Sequence, residues 1–210
     1  MFNLSLFVFQ IAGLIEDLNL NITSTSPGES LALALATLHT EFGVAALFKW
    51  SVGINELRSG EHAVRLGQPP GFTLPLTYYG GEQGSRERLQ VDYMRKVQEL
   101  LTGQVVEEAE EEKLLEVVRL EGELSQALLG PAEERAGGRR QVGRAALQRE
   151  VPAIDWGVFM EETVEDEVEV VLTSPSYLRK MSDILLPLLE QPKGRALIQV
   201  LPCLYCPALT

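Results

Sequence analysis

The sequence contains few of the residues that hold metals or form covalent cross-links. Of its 210 residues, two are cysteines and two are histidines. Both cysteines, Cys203 and Cys206, stand near the C-terminal end, so the only internal disulfide available is a strained link between these two neighbours. A second CxxC pair, which a four-cysteine zinc site requires, is missing. The fold is therefore expected to depend on a hydrophobic core and not on internal disulfides.

Positive charge and long hydrophobic runs are also scarce. The chain has 18 basic and 30 acidic residues, a formal net charge of −12. This charge argues against nucleic-acid binding and against attachment to anionic membranes, since both require basic surfaces. No apolar run reaches the roughly 18–20 residues that cross a bilayer. Residues 1–15 are apolar but contain no lysine or arginine, so they make a poor secretory signal.

Most of the residue patterns in the sequence predict helices. Apolar residues make up 45% of the chain, enough for a core. Ser26-Pro27-Gly28-Glu29 has the composition of a helix start with a capping box, and predicts a helix through Phe42 that ends at Gly43. Its leucines at positions 31, 35 and 38 share a face with Phe42.

Two further helices are predicted in the middle of the chain. Ser85 is expected to cap one that runs to Leu101, and another spans Val106–Leu129. The apolar face of the first of these is predicted to consist of the residues at helical spacing, Leu89, Tyr93, Val97, Leu100 and Leu101, widened by Met94. The acidic residues at the start of the second, 107–112, complement a helix dipole.

The last third mixes short elements. Residues 131–150 are polar and are expected to be mobile, apart from a short helix over Ala145–Glu150. The stretch Val151–Trp156 leads into another helix, with Asp155 as its cap and with Trp156 and Phe159 in the core. Strands are expected at Ala63–Leu66 and Val168–Leu172, and residues 45–52 fit either a strand or a short helix.

A final helix is predicted to begin at Ser174-Pro175 and to run to Glu190, with Pro187 kinking or shortening it. Taken together, these patterns predict a mainly α fold with a few short strands.

No catalytic motif is found in the sequence. His39 has no second histidine one helical turn away, so the HExxH zinc motif is missing, and His62 stands alone. The nucleophile motif GxSxG and the glycine-rich phosphate loops are missing as well. We therefore assign no catalytic, cofactor-binding or metal-binding residue. The sequons at Asn21 and Asn3 are candidate glycosylation sites, although unmodified polar turns explain them equally well.

Five segments together resemble a known family. In chain order they are LHTEFGVAALFKWSVG (38–53), VRLGQPPGFTLPLTYY (64–79), YMRKVQELLTG (93–103), PAIDWGVF (152–159) and VVLTSPSYL (170–178). Their order and spacing resemble the N-terminal region of the neprilysin family of zinc metalloendopeptidases, with the endothelin-converting-enzyme branch nearest and the Kell-type branch also compatible. The double tyrosine Tyr78-Tyr79, with Leu74-Pro75 before it, and the PAIDW element are the most specific parts.

The resemblance implies part of a type II membrane-anchored, extracellular, glycosylated peptidase that processes small peptides in a cavity between two lobes. It implies that zinc and the catalytic residues belong to a C-terminal part that would be this chain's partner. It divides the chain into a non-family segment (1–11), a partial N-terminal peptidase domain (12–200) and a non-family tail (201–210). On this view the chain has no cofactor of its own and is inactive alone.

The chain also departs from the family pattern. The family's acidic residues are replaced by Gly67 before Gln68 and by Asn55 after Val52-Gly53, and Leu76-Thr77 replaces a charged pair. Two other readings stay open: a truncated, non-enzymatic isoform that binds partners, and a fragment too incomplete to fold.

Overall fold

The computed structural model describes residues 26–41, 43–58, 60–72, 83–102, 108–164 and 168–191. In chain order the helices are α1 (Pro27–Thr40), α2 (Gln83–Thr102), α3 (Glu108–Ala127), α4 (Pro131–Ala136), α5 (Arg144–Glu150), α6 (Trp156–Thr163) and α7 (Pro175–Leu189). The strands are β1 (Lys49–Ile54), β2 (His62–Gly67), β3 (Arg140–Val142) and β4 (Val170–Leu172). The predicted mainly α class with a few short strands is confirmed.

The chain divides into two compact units. The first, here called the mixed unit, comprises Ser26–Pro70 and Ala127–Pro192 and holds the sheet with five of the described helices. The second, here called the helical unit, consists of the described residues within Gly71–Gln126, which form α2 and nearly all of α3.

The first helix begins as the sequence predicts and ends at Thr40, two residues before the predicted Phe42. The backbone N–H of Glu29 donates to the Ser26 hydroxyl, and the Ser26 N–H donates to the Glu29 carboxylate, both at 3.4 Å. This reciprocal pair satisfies two of the donors that a helix start leaves free. Gly43 follows the helix with φ of 65°, a conformation that glycine adopts without strain. Phe42 lies outside the described residues.

A four-stranded sheet in the order β1-β2-β4-β3 forms the centre of the mixed unit. The strands β1 and β2 are antiparallel, β2 and β4 are parallel, and β3 pairs antiparallel with β4. The strands predicted around residues 63–66 and 168–172 are confirmed, and residues 49–54 form a strand. The strand β3 was not predicted, because its three residues, two polar and one apolar, are too few to show a recognisable period.

The segment 131–150, predicted to be mobile, is instead mostly ordered. It forms α4, β3 and α5, of which only α5 was predicted. Tertiary partners explain the order: Arg140 pairs with Glu150, and Glu134 accepts a hydrogen bond from the Ser174 hydroxyl at 2.7 Å. Neither contact is visible in local sequence patterns.

Two predicted helix caps need correction. Ser174 holds the N-cap position of α7, but its side chain makes no capping hydrogen bond there and donates to Glu134. Ser85 lies inside α2, which begins at Gln83. A serine in the first turn costs little, so cap preference alone does not fix a helix's first residue. At the other end of α7, the helix continues past Pro187 to Leu189.

The core of the mixed unit is aromatic. The rings of Phe48, Trp156 and Phe159 are fully buried and contact one another with centroid distances of 5.2–5.6 Å. Trp50 on β1 adds an edge-to-face contact with Phe159 at 5.1 Å. Leu31 and Leu35 of α1 are buried, as predicted.

The helical unit uses a different face of α2 from the predicted one. Leu89 is 54% exposed and Tyr93 is 38% exposed, whereas Gln90 and Val91 are buried. The buried Gln90 amide donates to the Glu121 carboxylate of α3 at 3.3 Å. The buried side of α2 therefore includes Gln90 and Val91 and not Leu89. The side chains of Met94, Val97, Leu100 and Leu101 lie outside the described set.

Candidate functional site

His39, the first histidine, is enclosed by aromatic rings. Its imidazole stacks on Phe48 with centroids 5.1 Å apart and meets the edge of Phe159 at 5.9 Å. Its Nε2 atom is buried and has no hydrogen-bond partner in the described part of the chain. Burial lowers the pKa of His39 to about 4, although a hydrogen bond with the Phe48 backbone opposes the shift. The ring is therefore neutral at physiological pH and helps to fill the core.

The described residues do not fit a zinc site. No three histidine, cysteine, aspartate or glutamate side chains among them converge to hold a metal ion. His62 lies exposed at the start of β2, while His39 is packed on α1, and Cys203 and Cys206 fall outside the described residues. No chemistry through zinc can be derived from this part of the chain.

The PAIDW element has a structural role at the start of α6. The Asp155 carboxylate accepts hydrogen bonds from Gly157 N–H at 3.0 Å and Val158 N–H at 3.1 Å, which caps α6 as predicted. The indole N–H of Trp156 donates to the Val151 carbonyl at 2.9 Å. Trp156 and Phe159 are confirmed as core residues.

The Gln148 amide adds two hydrogen bonds to the backbone of this element. It donates to the Ile154 carbonyl and accepts from the Trp156 N–H, both at 2.9 Å. Its donor and acceptor atoms are therefore both used within the fold.

Three more side chains form hydrogen bonds between distant parts of the mixed unit. The Gln68 amide both donates to and accepts from the Leu129 backbone, at 3.0 and 2.9 Å. The Tyr177 hydroxyl donates to the Leu47 carbonyl at 2.6 Å, and Ser182 accepts from Ala153 N–H at 3.0 Å. Burial raises the pKa of Tyr177, so this phenol stays protonated. These groups are used internally and are not available to a ligand.

Two of the departures from the family pattern, Gly67 and Asn55, have local explanations, whereas Leu76-Thr77 lies outside the described residues. A Cβ atom on Gly67 would lie 2.0 Å from the Thr173 hydroxyl, so only glycine lets β2 and the end of β4 approach this closely. Asn55 is buried, and its side-chain oxygen accepts from Leu57 N–H at 3.0 Å. An amide forms this turn as well as a carboxylate does, without burying a charge.

A groove of about 580 Å³ runs along the helical unit. It is lined by Glu87, Arg88, Val91, Asp92, Glu111, Glu112 and Leu115. Four acidic groups face one arginine, and Val91 and Leu115 supply the apolar part of the lining. Charge alone does not make a binding site, and no buried unpartnered group among the lining residues points into this groove.

The outer strand β1 carries the most exposed apolar side chains of the described residues. Val52 is 72% exposed and Ile54 is 66% exposed. They share a face with Trp50, because side chains alternate along a strand. Natural sheet edges usually carry charges at such positions, so this apolar pair marks a surface suited to contact with further protein.

Several residues singled out in the sequence lie outside the described residues: Asn3, Asn21, Tyr78, Tyr79, Cys203 and Cys206, together with segments 1–11 and 201–210. Among the described helices, none combines the length and hydrophobicity that crossing a bilayer requires.

Comparison with known proteins identifies similar chains. A family model described as peptidase family M13 matches residues 9–195. The endothelin-converting enzyme homolog of Locusta migratoria is 29% identical over 169 residues, which is 74% of this chain and 23% of that protein. Neprilysin-3 of Drosophila melanogaster is 23% identical over 189 residues, which is 83% of this chain and 23% of that protein.

A solved structure supports the fold. The zinc metalloprotease Zmp1 of Mycobacterium tuberculosis, crystallised with an inhibitor, matches 88% of this chain and 29% of its own with a TM-score of 0.71 and 23% identity. The chain thus spans less than a third of the length of each of these relatives.

Proposed function

The chain belongs to peptidase family M13, and from this membership we propose that it is the N-terminal, non-catalytic portion of a neprilysin-like zinc metalloendopeptidase. In this proposal it contributes a structural wall to the peptide-binding enclosure, and the zinc ion and catalytic residues belong to a C-terminal part. The chain by itself has no peptidase activity and holds no cofactor.

The observation that carries the proposal is the family match over residues 9–195 in a sequence without HExxH. A helix needs that motif to place two imidazoles on one zinc ion and a glutamate beside the attacking water. The two histidines here are separated in space and role, one in the aromatic core and one at the start of a strand.

The internal use of polar groups supports a scaffold role. Gln68, Tyr177 and Ser182 each bind backbone groups far away in sequence, which links distant parts of the mixed unit. A wall that excludes large substrates needs rigidity more than reactive groups. In the same proposal, the exposed Val52 and Ile54 pack against the C-terminal part.

Location, substrate class and domain limits follow from the same proposal. The complete protein is expected to be an extracellular, plasma-membrane-anchored enzyme acting on small peptides, with Asn21 and Asn3 as glycosylation candidates. Residues 12–200 form the family portion, and segments 1–11 and 201–210 lie outside it.

A chimera tests the proposal directly. The corresponding N-terminal region of the Locusta migratoria endothelin-converting enzyme homolog is replaced by residues 12–200, and hydrolysis of an internally quenched peptide is measured. We expect the chimera to be active, and the isolated chain to be inactive and to bind zinc only substoichiometrically. A matched chimera with Trp156→Ala should lose activity through loss of folding. Stoichiometric zinc or peptide hydrolysis by the isolated chain would refute the assignment.

A binding role without catalysis is the second candidate, favoured by the exposed apolar pair Val52 and Ile54 on the outer strand. It requires that the chain fold alone, which a single cooperative urea transition would show. A broad transition with strong binding of a hydrophobic dye would instead support an incomplete fragment.

A further inference from the structure

Residues 135–149 form a strongly basic segment in an acidic protein. The chain has a net charge of −12, yet this segment contains five arginines and no acidic residue. All five side chains are exposed: Arg135, Arg139, Arg140, Arg144 and Arg149. They extend from the end of α4 through β3 to the end of α5, and we call this stretch the arginine segment.

Internal ion pairs use only part of this charge. Arg139 pairs with Glu56 and Arg140 pairs with Glu150, and both arginines remain about 40% exposed. Among the ion pairs of the described residues, none involves Arg135, Arg144 or Arg149. Three guanidinium groups are thus available to a partner.

Local helix stability explains two of these three arginines. Arg135 and Arg149 stand in the last turns of α4 and α5, where a cation complements the negative end of the helix dipole. Arg144 is the first residue of α5, where the same dipole is unfavourable for a cation. Its guanidinium reaches the start of α6, where Nη1 lies 4.0 Å from the position that a Cβ would take on Gly157, and the side chain remains exposed.

The arginine segment contains an outer strand of the sheet. In the order β1-β2-β4-β3, the strand β3 pairs with β4 on one side and with no other described strand. Outer strands present backbone donors and acceptors that an extended chain is able to pair with. Arginines stand at both ends of this edge, with Arg139 and Arg140 at its start and Arg144 just after it.

We propose that the arginine segment and the outer edge of β3 bind an extended acidic peptide segment of a partner protein. The peptide pairs with β3 through its backbone, and its carboxylates meet the guanidinium groups of Arg135, Arg144 and Arg149. Arginine suits this role because its planar fork binds a carboxylate through two hydrogen bonds.

Other anionic ligands fit these residues less well. The segment has no aromatic side chain on which a nucleic-acid base could stack. Its one leucine, Leu147, is fully buried, so no large apolar side chain is free to enter a membrane. A sulfated polysaccharide shares the charge but has no backbone amides to pair with a strand.

Fluorescence anisotropy with a labelled Glu-Val-Glu-Val-Glu-Val-Glu peptide tests the proposal on the intact chain. We expect saturable binding that weakens with added salt and is missing for the matching Lys-Val peptide. The variant Arg135→Gln/Arg144→Gln/Arg149→Gln should weaken binding roughly tenfold, as three partly solvated ion pairs are lost. The control Arg88→Gln/Arg179→Gln removes two exposed arginines elsewhere and should leave binding unchanged.

A backbone N-methylated form of the acidic peptide separates strand pairing from charge. It should bind at least several-fold more weakly, and equal binding would overturn the strand-pairing geometry. Unchanged binding by the triple variant, with a wild-type urea midpoint, would overturn the arginine assignment. Binding of heparin without binding of the acidic peptide would overturn the choice of partner. None of these outcomes depends on peptidase activity, so they test this site separately from the proposed function.

Discussion

The mixed unit and the helical unit bury different kinds of side chains. The mixed unit packs four fully buried aromatic rings, and the indole N–H of Trp156 and the hydroxyl of Tyr177 donate to backbone carbonyls. In the helical unit, buried aliphatic side chains of α3 such as Val117 and Leu124 accompany a buried polar pair, Gln90 and Glu121. Stability in the first should therefore depend on shape, and in the second more on one charged hydrogen bond.

This difference is measurable because both tryptophans, Trp50 and Trp156, belong to the mixed unit. Tryptophan fluorescence therefore reports on that unit, while far-ultraviolet circular dichroism reports on the helices of both.

Removing the central indole should have the largest effect. Trp156→Ala leaves a cavity beside Phe48 and Phe159 and removes a buried hydrogen bond, so we expect a loss of about 3–5 kcal/mol in unfolding free energy. Urea unfolding, monitored by the fluorescence of Trp50, measures this loss of unfolding free energy. A loss below about 1 kcal/mol would mean that the aromatic cluster is not the centre of stability.

Acid should destabilise the mixed unit through His39. Its pKa in the folded state, about 4, is lower than the 6.5 of the unfolded chain, so the unfolded state binds the proton more readily. Stability is therefore complete above pH 6.5 and falls as the pH approaches 4, by about 2–3 kcal/mol in total.

Urea midpoints between pH 7 and pH 4 check this expectation. His39→Gln should flatten the dependence relative to wild type, because the glutamine side chain does not titrate. His62→Gln is the matched control, since that residue is exposed, and should keep the wild-type slope. If the urea midpoint changes equally with pH in all three proteins, the imidazole of His39 does not control acid sensitivity.

A single methyl group should disturb the junction of β2 and β4. Gly67→Ala places a Cβ against the Thr173 hydroxyl and should cost about 1–3 kcal/mol by overpacking. Adding Thr173→Ala removes the clashing oxygen and should restore part of that loss. The double-mutant cycle, measured by urea unfolding, should give a coupling of at least about 0.5 kcal/mol. Simple additivity would mean that the close approach does not restrict position 67.

The smallest effect is expected in the helical unit. Gln90→Leu removes the amide donor to the buried Glu121 carboxylate and should cost about 1–2 kcal/mol, seen as a lower thermal midpoint by circular dichroism. Leu89→Ala, on the exposed side of α2, should change stability by less than about 0.5 kcal/mol. If the leucine change has the larger effect, hydrophobic contacts and not the polar pair stabilise this unit.

Much of the fold was predictable where one element's own residues determine it. The capping box at Ser26 fixed the start of α1, the PAIDW element placed Asp155 as a cap and Trp156 in the core, and β2, β4 and α5 lie where predicted. Where partners far away in sequence decide the structure, prediction failed. The Ser174 hydroxyl donates to the distant Glu134 and does not cap α7, and the short strand β3 is formed by pairing with the distant β4.

The candidate sites show the same division. The missing HExxH motif and the five family segments could be read from residue order, because short motifs and their spacing are properties of the chain itself. Sequence spacing did not identify the arginine segment as a candidate binding site. Five arginines in a polar stretch indicate a peptide-binding edge only when β3 is known to be an outer strand.

By itself, the sequence determined that these 210 residues are mainly helical and acidic and contain no HExxH motif. Capping, helical period and motif composition act over a few residues, so order along the chain is sufficient to specify them. Only the tertiary structure decided which face of α2 is buried, why position 67 is glycine, and how the rings of Phe48 and Phe159 enclose His39. Those outcomes depend on contacts between distant residues, whose energies are set by distance, burial and hydrogen-bond geometry in the folded chain.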